Sequence, residues 1–229
     1  MTGSRFAPVD FHAHILPGAD HGSTSLETSL CQMKMARENG IDRIIATPHF
    51  YPTVHSVESF LDRRNRAYEL LMSEHSDLPT VRLGAEVLLC NGMERLPGIE
   101  KLFLRGTNVL LLELPYSDFQ IEYCYSVESF VKSGVDVILA HAERYPTENI
   151  EHIIEYGAKI QINTVSMHYF SKRRILRSWL ERNLIVAIGS DIHGTDRHAY
   201  PYFVKAARKL GAHLDTVNDY SDKVFAQMN

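Results

Sequence analysis

The sequence predicts an α/β fold in which seven parallel strands, joined by helices, close into a barrel. Short, near-continuous apolar runs alternate with amphipathic helical stretches along the whole chain, the pattern of a parallel sheet covered by helices. At least six of the seven runs end in polar residues, most of them histidine or carboxylate, and only in a barrel does every strand end converge on one mouth. In an open doubly wound sheet, only residues at the switch point would share a site.

The first run, Val9-Asp10-Phe11-His12-Ala13-His14, places two imidazoles on one face of an extended strand. Pro17, Gly18 and Gly22 make the next stretch a loop. Thr24-Ser25-Leu26-Glu27 then reads as a capping box for a helix stopped by Asn39-Gly40. Ile41 to Thr47 is the second strand, running into Pro48 and His49. A helix from about Val57 to Glu74 precedes a break at Asp77-Leu78-Pro79 and a third strand, Val81 to Cys90, interrupted at Gly84-Ala85-Glu86.

Residues 91–108 carry no regular pattern, and Val109 to Pro115 is an apolar strand with one embedded acid, Glu113. A helix over Glu122 to Ser133 leads to the fifth strand, Val135 to Ala140, which ends in His141-Ala142-Glu143-Arg144. A helix near Ile150 to Tyr156, a sixth strand Ala158 to Thr164, and a helix over Arg173 to Arg182 follow. Leu184 to Gly189 is the seventh strand, ending in Ser190-Asp191-Ile192-His193, and helical segments around Tyr202 to Leu210 and Asp219 to Met228 finish the chain.

At 229 residues, with 45% hydrophobic and 23% charged, the chain is ordinary for one globular domain. A net charge of -4 argues against nucleic acid and anionic membranes as general partners, while leaving room for a local basic pocket. No apolar run reaches the roughly 18 residues of a spanning helix, no cleavable leader is evident, and the expected location is the cytoplasm. Cys31, Cys90 and Cys124 fit neither a disulfide framework nor a zinc knuckle. Cys31 to Arg37 matches the Cys-x5-Arg spacing of cysteine-dependent phosphatases, but it lies mid-helix without glycine and reads as coincidence.

Histidine is the outlier, at twelve copies. The strand ends collect His12, His14, His49, Glu86, Glu113, His141, Asp191 and His193, with His21 in the first loop. Taken singly, Glu113 reads equally as an ion-pair partner and Asp191 as a turn cap. Together, several buried acids at one barrel mouth would repel unless cations sat among them. Imidazole and carboxylate without thiolate suit manganese, iron or zinc, and so many donors imply two or three ions.

With Asp10-Phe-His12-Ala-His14, Ala46-Thr-Pro-His49, Gly84-Ala-Glu86, Leu112-Glu113, Ala140-His141-Ala-Glu143-Arg144 and Ser190-Asp191-Ile-His193, the sequence resembles the polymerase and histidinol phosphatase (PHP) superfamily of metal-dependent phosphoesterases. More narrowly, Leu16-Pro-Gly-Ala-Asp20-His21-Gly22 and His141-Ala-Glu-Arg144-Tyr145 resemble the bacterial PHP-type protein-tyrosine phosphatases linked to capsule and exopolysaccharide synthesis. The resemblance implies a distorted TIM-like (β/α)7 barrel over residues 1–229 with a trinuclear, usually manganese, site. It implies one ion on His12, His14, Glu86 and Asp191, a second on Glu86, Glu113 and His141, and a third on His21, His49 and His193. Arg144 and Arg197 match positions that bind phosphate. The subgroup usually carries two acids where this chain has Asp20-His21, so Asp20 stands as the alternative ligand to His21.

The implied reaction is phosphomonoester hydrolysis by a metal-bridging hydroxide, with the arginines clamping phosphate. The expected substrate is a phosphotyrosine protein, a bacterial tyrosine kinase among the candidates. Histidinol phosphate or another small phosphoester is the alternative, and an inactive metal-binding regulatory barrel a third. Glu143 reads as exposed, with orienting a metal ligand as the alternative, and Asn163 and Tyr116 read as pocket lining or, more readily, as packing. The oligomeric state is left open.

Overall fold

The structure is a computed structural model that describes residues 8–73, 78–116, 119–169 and 172–229. Strand β1 (Asp10–Ala13) pairs with β2 (Arg43–Ala46), and β2 with β4 (Thr80–Leu83). A second sheet runs β3 (His49–Phe50), β5 (Glu86–Leu88), β6 (Val109–Glu113), β7 (Asp136–Leu139), β8 (Lys159–Asn163) and β9 (Ile185–Gly189). Every pairing is parallel, so all carboxyl ends gather at one end.

Among the described residues nine strand segments thus occupy the seven predicted positions, because the second and third strands are each broken in two. Pro48 cannot donate to a ladder, which ends β2. Gly84 separates β4 from β5, and a Cβ there would lie 2.4 Å from Leu104 Cδ2. The two sheets stay joined across the breaks: the Gly84 N–H donates to Ala46 C=O at 2.8 Å and the Glu86 N–H to Pro48 C=O at 3.1 Å. The breaks bring His49 and Glu86 into direct register on β3 and β5.

Between β9 and β1 no ladder forms among the described residues. The Asp191 N–H donates to His12 C=O at 2.8 Å, and the Asp10 carboxylate takes the Ser190 N–H at 2.8 Å and its hydroxyl at 2.6 Å. A buried side chain therefore stands in for backbone acceptors at the seam. Burial pushes the Asp10 carboxyl up to about 6, against the lowering effect of the Ser190 bonds.

Helices α1 (Leu26–Glu38), α2 (Val57–Met72), α3 (Glu122–Lys132), α4 (Thr147–Glu155), α5 (Arg173–Glu181), α6 (Ala199–Leu210) and α7 (His213–Gln227) complete the chain. The larger apolar cluster contains outward strand residues such as Ile44, Leu110, Leu112 and Leu139 together with helix residues such as Met33, Phe60 and Phe130. A smaller one links Ile45, Leu111 and Ile138 to Phe225 and Met228 at the end of α7.

Several boundaries differ from expectation. The N-cap of α1 is Ser25, whose hydroxyl accepts from the Thr28 N–H, so the capping box starts one residue later than Thr24. Residues 91–108 hold two short 3-10 turns, Met93–Arg95 and Ile99–Leu102. Helix α6 starts at Ala199 with Pro201 in its first turn, where a missing N–H costs no helical bond. Helix α7 starts at His213 rather than Asp219, because its first half turns an apolar residue, Val217, into the core. Glu74 and Asp77 lie outside the described residues. Among the described residues no helix is long and apolar enough to cross a membrane.

Candidate metal centre

His12 and His14 leave β1 on one face, with their Nε2 atoms 3.0 Å apart. Each ring is held through its other nitrogen: His12 Nδ1 meets Gln161 Oε1 at 3.1 Å, and His14 Nδ1 meets Asp20 Oδ2 at 2.6 Å. Carboxylate and amide oxygens only accept, so the Nδ1 atoms donate and both neutral rings turn Nε2 lone pairs toward one point. Glu86 Oε2 lies 3.3 Å from each Nε2, and Asp191 Oδ1 lies 3.6 and 3.3 Å away. The backbone makes room for the two imidazoles with glycine: a Cβ on Gly22 would lie 2.0 Å from His14 Cβ, and one on Gly189 2.6 Å from His12 Cβ.

Glu86 is the hub. Its Oε1 is 2.7 Å from His141 Nε2 and its Oε2 is 2.9 Å from His49 Nδ1. Glu113 completes the far side, 3.6 Å from both His49 Nδ1 and His141 Nε2. His193 directs Nδ1 to Asp191 C=O at 3.0 Å, and its ring stacks on His14 at 4.2 Å. The His21 ring lies 4.8 Å from those of both His49 and His193.

These donors fit divalent cations. His49 Nδ1 and Glu86 Oε2 are buried and close, yet neither has a hydrogen-bond partner, as expected of donor atoms aimed at a common ion. Ligand atoms fall within 4.8 Å of one another in three sets, His12-His14-Glu86, His49-Glu86-Glu113 and His14-His49-His193. The sets differ from the implied grouping: His49 bridges two of them, while His141 and Asp191 stand beside Glu86 and the β1 histidines.

Burial alone would raise the Glu86 carboxyl, but His12, His14 and His141 hold it well below the usual range. Asp191 is likewise held well below, by His12 and His14 against burial. Burial lowers His49, yet Glu113 and Glu86 bring it up to about 9, whereas burial beside His14 takes His193 down to about 4. The acids demand positive charge, which protons on the histidines or bound cations can supply. His141 and Asp191 both sit at positive φ, 34° and 50°, a costly conformation for residues other than glycine.

Three supporting residues carry roles that sequence reasoning missed or misread. Gln161 Oε1 accepts from the His141 N–H at 2.8 Å as well as from His12. Asn163 donates to Asp191 Oδ2 at 2.8 Å and accepts from Gln161, so it positions the cluster instead of merely packing. Glu143 is 1% exposed, contrary to expectation, because its carboxylate accepts from the Ser166 hydroxyl at 2.7 Å and from the Asn163 N–H. Alternation along β8 was the available signal for Gln161 and Asn163; nothing local marked Glu143.

Above the cluster opens a cavity of about 260 Å³, lined in part by His21, His49, Glu113, Asp191 and His193. Arg144 enters it with a guanidinium paired to Asp191, and Tyr51 and Tyr116 form its outer wall. Tyr116, 74% exposed, is therefore a lining residue, the less favoured of its two readings, and Tyr51 is an unpredicted one. Arg197 stands on the exposed turn before α6 and does not line this cavity. Cys31 and Arg37 lie inside α1, with Arg37 paired to Asp42, so no phosphate cradle forms there.

The family model for capsular polysaccharide synthesis, CpsB/CapC, matches residues 8–229. Among curated proteins, the chain is 26% identical to the tyrosine-protein phosphatase CpsB of Streptococcus pneumoniae, across 89% of this chain and 91% of that one. It is 29% identical to the tyrosine-protein phosphatase YwqE of Bacillus subtilis, across 81% and 77%. Among solved structures, one described as YwqE from Bacillus subtilis and CpsB from Streptococcus pneumoniae, unique metal-dependent tyrosine phosphatases, superposes with a TM-score of 0.77 at 22% identity, covering 96% of this chain and 95% of that one. A β-aspartyl dipeptidase from Fervidobacterium islandicum shares the fold at a TM-score of 0.61 and 14% identity, covering 96% of this chain and 74% of that one.

Proposed function

Because the chain belongs to the capsular polysaccharide synthesis CpsB/CapC family, we propose that it is a metal-dependent protein-tyrosine phosphatase. The observation that supports this most is the convergence of His12 Nε2, His14 Nε2, Glu86 and Asp191 beneath a cavity that Arg144 enters from the side. Its relatives are named tyrosine phosphatases, which favours phosphotyrosine over histidinol phosphate. The presence of every expected donor disfavours an inactive regulatory barrel.

His12, His14, His21, His49, Glu86, Glu113, His141, Asp191 and His193 would hold two or three ions. Oxygen and imidazole donors favour manganese, with iron and zinc as alternatives. Bound divalent ions supply Lewis acidity and a water activated for attack on phosphorus. Gln161, Asn163 and Asp20 keep the donor atoms aimed, which is the protein's share of that chemistry.

Arg144 binds the phosphate. A guanidinium has five N–H donors, so it can keep Asp191 and still present a fork to phosphate oxygens. Arg197, four residues beyond His193 on an exposed turn, is assigned to the same phosphate by the family resemblance. The substrate is a phosphotyrosine on a protein, a bacterial tyrosine kinase being the natural source, and the whole chain acts as one domain in the cytoplasm.

The test compares phosphotyrosine, phosphoserine and histidinol phosphate in one assay, with elemental analysis of the bound metal. Turnover of phosphotyrosine that disappears with chelator and returns with Mn²⁺ is expected. Full activity in a metal-stripped sample, or a preference for histidinol phosphate, rejects the proposal.

A further inference from the structure

A second cavity, of about 290 Å³, adjoins the catalytic one and shares two residues with it, Tyr116 and Arg144. Most of its lining residues are apolar or aromatic, among them Pro115, Tyr116, Phe119, Tyr123, Tyr145 and Pro146, with Arg144 and Asn149 as the polar side chains. Phe119 meets Tyr123 edge to face at 6.0 Å, and Tyr116 tilts against Tyr145 at 5.8 Å. The Tyr145 ring in turn lies 5.7 Å from that of His141, in the metal cluster, and its hydroxyl is fixed on Leu114 C=O at 3.0 Å. A line of rings thus leads from the metal-binding side chains into this cavity.

We propose that this cavity receives the aromatic ring of the substrate while Arg144 and the metal-binding side chains hold its phosphate, and so selects phosphotyrosine over aliphatic phosphoesters. The inference rests on the phosphatase reading above and adds the origin of its selectivity.

Three observations carry it. The cavity adjoins the phosphate site, with Tyr116 and Arg144 lining both, so a ligand held at one can extend toward the other. Its volume of about 290 Å³ has room for a single aromatic side chain. Among the described residues its one charged lining group is cationic, and a phenyl ring finds apolar walls with aromatic edges and faces to pack on. A phosphoserine would leave these walls unfilled.

The experiment uses the full chain with Mn²⁺ bound. It measures kcat/KM for phosphotyrosine and phosphoserine, and inhibition by phenylphosphonate and methylphosphonate, in wild type, Tyr116→Ala and Asn149→Trp. Tyr116 is largely exposed, so its truncation spares the core, and Asn149 lines the cavity so that a tryptophan there fills it. Tyr116→Ala is expected to raise KM for phosphotyrosine and weaken phenylphosphonate by about five- to tenfold, several times more than it affects phosphoserine and methylphosphonate. Asn149→Trp is expected to act in the same direction more strongly. Equal effects on aromatic and aliphatic compounds, or none on the aromatic ones, overturn the inference while wild-type phosphotyrosine turnover keeps the phosphatase reading intact. Absence of phosphotyrosine turnover in the wild type removes both.

Discussion

Asp20 faces His14, with Oδ2 2.6 Å from the ring's Nδ1, and its remaining contacts are the backbone N–H groups of Gly22 at 2.8 Å and His49 at 2.9 Å. Both carboxylate oxygens are thus engaged in holding neighbours, and the acid faces the back of the His14 ring, away from the convergent Nε2 atoms. His14, Gly22 and His49 together hold it far below the usual carboxylate range despite burial.

Asp20→Asn keeps the shape but removes the charge that fixes the His14 tautomer. Metal affinity is expected to fall about 10- to 100-fold, the usual cost of losing a partner behind a metal-bound histidine. Titration of the stripped protein with Mn²⁺ measures this, and unchanged affinity removes Asp20 from the supporting shell.

Asp191→Ala and His12→Ala should each abolish phosphotyrosine turnover, since each removes a donor atom from the convergent set. Cys31→Ser should retain near wild-type kcat, because its thiol sits within α1 and belongs to none of the donor sets. A dead Cys31→Ser enzyme with wild-type metal content would point to thiol chemistry instead.

Arg197→Ala is expected to raise KM for phosphotyrosine with bound metal unchanged, because the side chain stands on an exposed turn outside the cavity lining. The parallel measurement is elemental analysis of the purified variant. Metal loss would assign the arginine to the structure of the turn.

Asp10→Ala leaves the Ser190 N–H and hydroxyl without their acceptor at the β9–β1 seam. Unsatisfied buried donors cost about 1–3 kcal/mol each, so a drop in Tm of several degrees is expected by calorimetry. A Tm equal to wild type would show that another group closes the seam.

Glu151 accepts from the Trp179 indole at 2.9 Å and from Arg182 at 2.8 Å. Burial tends to raise its pKa, but these two partners together bring it below its ordinary value of 4.5. A depressed carboxyl contributes stability above its unfolded pKa and loses it as pH falls through the folded one. Below pH 4.5, wild type should therefore lose stability more steeply than Glu151→Gln, as read from urea midpoints across that range. Parallel slopes would show that the pair contributes nothing.

Much of the fold was legible in the chain because it rests on local rules. Apolar runs such as Val109–Leu112 announce buried parallel strands, and interruptions such as Thr47-Pro48 and Gly84-Ala85 announce breaks in them. Once the strands are parallel, residues at their carboxyl ends must meet, which is why His12, Glu86, Glu113, His141 and Asp191 could be gathered before any coordinates. The similarity of the motifs to a known family then supplied their expected roles.

What the tertiary structure alone decided is how those side chains are aimed and supported. Gln161 reaches His12 across 149 residues, and the Asp10 carboxylate reaches Ser190 across 180. Alternation marks the face Gln161 occupies, but neither partner can be read from the sequence. The same holds for Glu143, buried by Ser166 and the Asn163 backbone, and for the ring-lined cavity that Phe119 and Tyr145 form beside Arg144. Secondary structure follows from interactions between near neighbours, whereas second partners and cavity walls depend on strand register and loop path, which only the packed chain determines.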